Sequence, residues 1–153
     1  MKYLVVSDSH GDIMRFIEAL EREKPDGILH LGDFSKDAED LLCLNICDVK
    51  WVKGNCDVID SWSSEEEIIS LGGFRILMSH GHIYRVKSGM QLFKSAAEEN
   101  EVDIALFGHT HIPYKEMNSG ICYFNPGSAY GDDGTYGVLE INSDGYFLEH
   151  RYL

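Results

Sequence analysis

Apolar and polar positions along the first half of the chain follow a strand–helix rhythm. Lys2 to Val6 is a short apolar run that predicts a strand. Ile13, Phe16, Ile17 and Leu20 follow at helical spacing, which predicts an amphipathic helix over residues 11–24 that stops near Pro25. Gly27 to Leu31 reads as a second strand. Lys36 to Ile46 reads as a second helix with Ala38, Leu41, Leu42 and Leu44 apolar, and Val49 to Val52 as a third strand. Strands alternating with helices imply right-handed βαβ units and a mostly parallel sheet.

The second half changes character. Ile68, Ile69 and Leu71, then Gly72-Gly73, then Phe74 to Met78 predict a hairpin. A helix is expected over residues 89–100 from Met90, Phe93, Ala96 and Ala97, and a strand from Asp103 to Phe107. Two more hairpins turn at Asn118-Ser119-Gly120 and at Ser143-Asp144-Gly145. The most economical architecture is α/β: two mixed β-sheets packed as a sandwich and flanked by helices, in a single domain over residues 1–153.

Composition narrows the partners. Lys and Arg number 13 against 26 Asp and Glu, a formal net charge of −13. A twofold excess of acid argues against a long nucleic-acid track and against an anionic membrane surface. The apolar run at the N-terminus is shorter than the roughly 7–15 residues of a signal peptide's core, and no stretch approaches the roughly 20 apolar residues of a membrane span. Cys43, Cys47, Cys56 and Cys122 form no CxxC. Free thiols in a cytoplasmic protein are therefore expected, with Cys43 and Cys47 on a packed helical face. Trp51 and Trp62 are expected to anchor packing, His30 to lie in the core or on a sheet face, and His150 to be solvated. Glu65-Glu66-Glu67 and Glu98-Glu99 read as solvated charge. Apolar edges on the late hairpins leave room for a homo-oligomer.

Residues able to bind metal recur just after the apolar runs. Asp8 and His10 follow the first strand, and Asp33 the second. Asn55, Cys56 and Asp57 follow the third, His80 and His82 the fifth apolar run, and His109 and His111 the strand after the third helix. Sites in α/β sheets form beyond the carboxyl ends of strands. Asp8 and His10 are two apart, as are His109 and His111, and in extended backbone such residues point to one side. Gly11, Gly32, Gly54, Gly81 and Gly108 suit sharp turns and close backbone approach. Carboxylates, imidazoles and an amide oxygen suit borderline divalent metals, with Mn²⁺ the first expectation and Ni²⁺, Zn²⁺, Fe²⁺ or Co²⁺ as alternatives. Seven such residues (Asp8, His10, Asp33, Asn55, His80, His109 and His111) exceed the needs of one ion and suit two sharing a carboxylate. Two divalent ions against two carboxylates leave the site positive, so an acidic chain can still hold a small phosphoester.

The set Asp8-Ser9-His10, Gly32-Asp33, Gly54-Asn55, His80 and Gly108-His109-Thr110-His111, in this order, resembles the calcineurin-like metallophosphoesterases, and most closely their small YfcE-like phosphodiesterase group. The resemblance runs from Ser7 to at least Asn125-Pro126-Gly127-Ser128. It implies a four-layer α/β/β/α sandwich and hydrolysis of small phosphodiesters by in-line attack of a metal-bridging hydroxide. It implies one metal on Asp8, His10, Asp33 and His111 and a second on Asp33, Asn55, His80 and His109, with Asp33 shared. Many family members carry His where this chain has Cys56. Cys56 donates a proton weakly, so activated leaving groups should be favoured, with Asp57 a substitute partner. His82 and Asn125 are candidates for facing the substrate. A phosphomonoesterase and a non-catalytic protein scaffold like the small retromer subunit are the competing readings.

Overall fold

The computed structural model describes residues 1–11 and 13–153, and all of their side chains except those of residues 13–15. The Ile13 side chain, assigned above to the first helix's apolar face, lies outside the described residues. The chain runs β1 (Lys2–Val6), α1 (Ile13–Glu23), β2 (Gly27–His30), α2 (Ser35–Cys43), β3 (Asp48–Trp51), β4 (Glu66–Leu71), β5 (Phe74–Ser79), α3 (Gln91–Glu99), β6 (Ile104–Leu106), β7 (Tyr114–Asn118), β8 (Ile121–Asn125), β9 (Thr135–Asn142) and β10 (Gly145–Tyr152). The three predicted hairpins form as β4–β5, β7–β8 and β9–β10, each antiparallel.

Two five-stranded mixed sheets result, in the orders β10-β9-β1-β2-β3 and β4-β5-β6-β8-β7. The parallel ladders join β1 to β2, β2 to β3, β5 to β6 and β6 to β8. Alternation along each strand divides the core into three layers. Val5, Leu29, Ile76, Leu106 and Leu139 meet between the sheets. Leu4, Val6 and Ile28 face the other way and pack with Phe16 and Leu20 of α1 and Leu41 of α2. Leu77, Ala105 and Tyr123 pack against Phe93 and Ala97 of α3. Strands buried on both faces read as continuous apolar runs. The architecture is the four-layer α/β/β/α sandwich.

Several local expectations are corrected. The second helix stops at Cys43, not Ile46, because Asn45 adopts a left-handed conformation (φ 53°) just past the helix end. Leu44 and Ile46 lie beyond the helix and are exposed, as is Leu42 within it. Cys43 is exposed as well and Cys47 half-buried, so the two do not share a packed face. Trp51 packs at the edge of the helix-side core and its indole N–H donates to Ser63 Oγ at 2.9 Å, whereas Trp62 is 71% exposed and anchors nothing. His150 is not merely solvated: it stacks on Phe124 (centroids 4.3 Å apart), with Nε2 2.8 Å from the Asn125 carbonyl. No helix among the described residues is long and apolar enough to cross a membrane.

Phe93 has no exposed surface, and its ring centroid lies 5.4 Å from Tyr84 and 5.2 Å from Phe107. Phe93→Ala is expected to cost about 3–5 kcal/mol in urea unfolding. A loss under about 1 kcal/mol would show that α3 does not close the second sheet's outer core.

Candidate metal centre

The loops after β1, β2, β3, β5 and β6 gather where the carboxyl ends of the two sheets meet. Backbone hydrogen bonds tie them together: Asp8 N–H donates to the Gly32 carbonyl at 3.0 Å, and Gly108 N–H to the His80 carbonyl at 3.1 Å. Within these loops Asp8, His10, Asp33, His109 and His111 all have positive φ, between 48° and 67°. The side chains therefore converge through left-handed turns beyond the strand ends, not through strand alternation as the two-residue spacing suggested. Asp and His tolerate this region better than most residues.

Two clusters form. Asp8, His10 and His111 each bring one ligand atom within 4.8 Å of the others, and so do Asp33, His80 and His109. His111 Nε2 lies 3.0 Å from Asp8 Oδ1. His80 Nδ1 lies 2.8 Å from the Leu31 carbonyl and must donate its N–H there. Its Nε2 lies 3.4 Å from Asp33 Oδ1 and 3.9 Å from Asp8 Oδ1. Asp8 Oδ1 and His80 Nε2 are buried without a hydrogen-bond partner. In neutral His80 that nitrogen is a bare lone pair facing two buried carboxylates. Such an arrangement needs a positive charge. A proton on His80 supplies one, and a divalent ion supplies more. The donor set therefore fits the metals it implies.

The electrostatics agree. Burial alone would raise the Asp33 carboxyl, but His80 and the Cys56 N–H outweigh it and hold the group well below the usual carboxylate range. Burial would lower His80, yet Asp33 and Asp8 outweigh it and raise the imidazole above its ordinary value. Burial, then repulsion from His80 and Lys87, pushes His109 down to about 4, so its ring is neutral and free to act as a ligand.

The Calcineurin-like phosphoesterase superfamily domain matches residues 1–144. The chain belongs to this superfamily. Probable metallophosphoesterase YsnB of Bacillus subtilis is 32% identical over 150 residues, covering 94% of this chain and 86% of that protein. Phosphodiesterase YfcE of Escherichia coli is 30% identical over 100 residues, 58% of this chain and 50% of that protein. The solved structure of Vps29 from Entamoeba histolytica superposes with a TM-score of 0.78 at 26% identity, covering 100% of this chain and 99% of that one.

In this calcineurin-like site the remaining candidates divide by what they touch. His82 stands beside the second cluster, with its ring 5.5 Å from His80 and its Nε2 3.5 Å from Glu65 Oε1. Asn55 is exposed and its amide N–H reaches Cys56 Sγ at 3.4 Å. Cys56 donates its backbone N–H to Asp33 Oδ1 at 2.9 Å. Desolvation of its sulfur, and behind it the Asp33 charge, push the thiol up to about 11. Asp57 is engaged with backbone: Oδ1 accepts the N–H groups of Phe34 and Ser35 at the start of α2, and Oδ2 accepts that of Gly54. Both oxygens help join the Asp33 loop to the Asn55 loop. Asn125 is likewise tied into the backbone. It is fully buried, donates to the Gly108 carbonyl at 2.7 Å and accepts from Gly127 N–H, and so props the His109 loop.

Two supports hold the clusters, and only the first escaped sequence reasoning. Beneath the first cluster, Ser9 Oγ donates to Asp37 Oδ2 at 2.6 Å, which also accepts Gly11 N–H. His30 Nδ1 accepts Gly32 N–H, which leaves its Nε2–H to donate to Ser9 Oγ at 3.2 Å. Burial lowers His30 and keeps it neutral. This chain fastens the Asp8 loop to the Asp33 loop and to α2. Only Asp37's position in the helix's first turn hinted at it. The second support is room: a Cβ on Gly54 would strike Asp33 Oδ1, and one on Gly108 would strike Ser7 Oγ. The glycines after β3 and β6 let backbone pass against the carboxylate loops.

Mn²⁺ at about 100 times its dissociation constant is expected to stabilise the protein by about 2.7 kcal/mol, a rise of several degrees in Tm by calorimetry. Asp33→Asn should remove most of that rise, and an undiminished rise would exclude Asp33 from metal binding.

Proposed function

We propose that this chain is a single-domain, metal-dependent phosphoric ester hydrolase that acts on small phosphodiesters. The observation that carries the reading is the pairing of two donor clusters where the carboxyl ends of the two sheets meet, with His80 Nε2 aimed between two buried carboxylates. Asp8, His10, Asp33 and His111 would hold one ion, and Asp33, Asn55, His80 and His109 the other, with Asp33 shared. Bound there, two divalent ions, Mn²⁺ foremost, would supply Lewis-acid charge against the phosphoryl oxygens and lower the pKa of water for in-line attack. Likeness to the phosphodiesterase YfcE supports diesters.

The chain's own residues shape the rest. The Leu31 carbonyl fixes the His80 tautomer so that Nε2 serves as ligand, the usual second contact of a metal-binding histidine. His109 stays neutral at working pH for the same service. Cys56 holds its proton tightly, which makes it a poor acid toward basic alkoxides. Leaving groups of low pKa should depart unaided. Four unpaired cysteines suit the reducing cytoplasm.

The likeness to Vps29 favours one other reading, a protein-binding scaffold, and exposed Val58, Ile59 and Trp62 beside the site would serve it. The complete donor set weighs against it. Elemental analysis and a chromogenic diester assay separate the two: no bound metal and no turnover would favour the scaffold.

With Mn²⁺, turnover of bis-para-nitrophenyl phosphate is expected, with slower turnover of the monoester. Chelation should abolish it, and Asp33→Ala or His109→Ala should lower kcat at least 100-fold, by order of magnitude for a lost metal ligand. Turnover that survives either change would overturn the assignment. Cys56→His should raise kcat/KM for alkyl leaving groups about tenfold or more, while nitrophenyl esters change little. Equal gains on both would show that position 56 does not act on the leaving group.

A further inference from the structure

The rim of the metal centre carries two aromatic rings that the ligand set does not use. The Phe34 ring centroid lies 5.0 Å from that of His10 at 72°, and the Tyr130 centroid 5.8 Å away at 83°. Both side chains face solvent, Phe34 38% and Tyr130 59% exposed. Tyr130 keeps most of its surface in water, so burial contributes little to its position.

Each ring is indexed to the backbone that bears the carboxylates. Phe34 directly follows Asp33 and has φ 74° and ψ 59°. A bulky residue adopts that left-handed conformation only where its surroundings impose it, and such residues gather at functional sites. Asp57 Oδ1 imposes it here by accepting the Phe34 N–H at 2.8 Å. Tyr130 N–H donates to Ser128 Oγ at 3.3 Å, and Ser128 Oγ donates to the Asp8 carbonyl at 2.9 Å. Ala129 N–H donates to the Ser7 carbonyl at 3.0 Å. These bonds fix the backbone that bears the two rings beside the Asp33 and Asp8 loops. From Phe34 a groove continues past Cys56 to Val58 and Ile59.

Exposed aromatic faces fixed beside a phosphate-binding centre offer stacking surface for a flat ring. Base stacking on such side chains is a recurrent source of nucleotide affinity. The net charge of −13 disfavours a long strand but leaves a single nucleotide unit admissible. We propose that Phe34 and Tyr130 are the specificity rim of this site and stack the heteroaromatic base of a small nucleotide phosphoester whose phosphate lies at the metal centre. The assignment rests on the phosphoesterase reading above.

The test compares two diesters with one leaving group: the para-nitrophenyl ester of thymidine monophosphate and methyl para-nitrophenyl phosphate, both with Mn²⁺-loaded protein. The nucleotide ester is expected to show a kcat/KM about tenfold higher or more. Phe34→Leu and Tyr130→Ala should each reduce that ratio several-fold, while Leu44→Ala, on the far end of α2, should leave it unchanged. Calorimetric titration should show thymidine monophosphate binding about tenfold tighter than methyl phosphate, with the gap narrowed in both variants. Equal rates for the two esters would overturn the proposal and leave the phosphoesterase reading standing, whereas no turnover of either would count against that reading itself. Preference for a butyl over a thymidine ester would overturn it in favour of a general apolar rim. Weaker Mn²⁺ binding in the variants with an unchanged ratio would also overturn it, since the rings would then merely orient His10.

Discussion

Two carboxylates and an imidazole lone pair, all buried, point at one another where the two sheets meet. Asp8, Asp33 and His80 have at most 3% of their surface exposed, and the Leu31 carbonyl has already claimed the only other nitrogen of His80. Unless a proton or a cation joins them, acceptors facing acceptors out of water are among the least favourable contacts a fold can contain. The surrounding architecture is arranged to hold that contact. All five residues of the two clusters other than His80 sit in left-handed turns, each carrying strain of about 1–2 kcal/mol as a general scale. Backbone bonds between loops, the Ser9–His30–Asp37 chain and the Asp57 clamp keep those turns from relaxing.

The fold was largely legible because its elements are local. Helical spacing around Phe16 and Leu20 gives α1, and glycine-bearing turns at 72–73, 118–120 and 143–145 give three hairpins. Strand neighbours were not legible. Nothing near Lys2–Val6 says that Val138 and Leu139 will lie beside it, because that pairing joins opposite ends of the chain. Helix ends failed where one residue decided them: Asn45 ends α2 against an apolar pattern that runs on through Leu44 and Ile46.

For the site, residue types and order exposed the donors, and the superfamily match accounts for why they recur together. Geometry stayed hidden. The two-residue spacings suggested extended backbone, whereas Asp8, His10, His109 and His111 turn left-handed. Asp57 and Asn125 lie among the motifs and look chemical in sequence. Their hydrogen bonds make them braces, because their carboxylate and amide groups satisfy backbone donors and acceptors that the tight loops leave open. Ser9, His30 and Asp37 lie far apart in the chain, so no window of sequence shows them as a unit.

The place of β1 in the first sheet has a temporal consequence. Of the strands in this sheet β1 is made before the others, with one edge closed by β2 but the other by β9, which begins at Thr135. At about 5–20 residues per second, that edge stays open for seconds of synthesis. The loop bearing Asp8 waits equally long for Ser128 and Ala129 to fasten it. A nascent chain thus carries acidic and imidazole groups before they can select a metal by geometry. The fold postpones that geometry until Ser128 and Ala129 have been made.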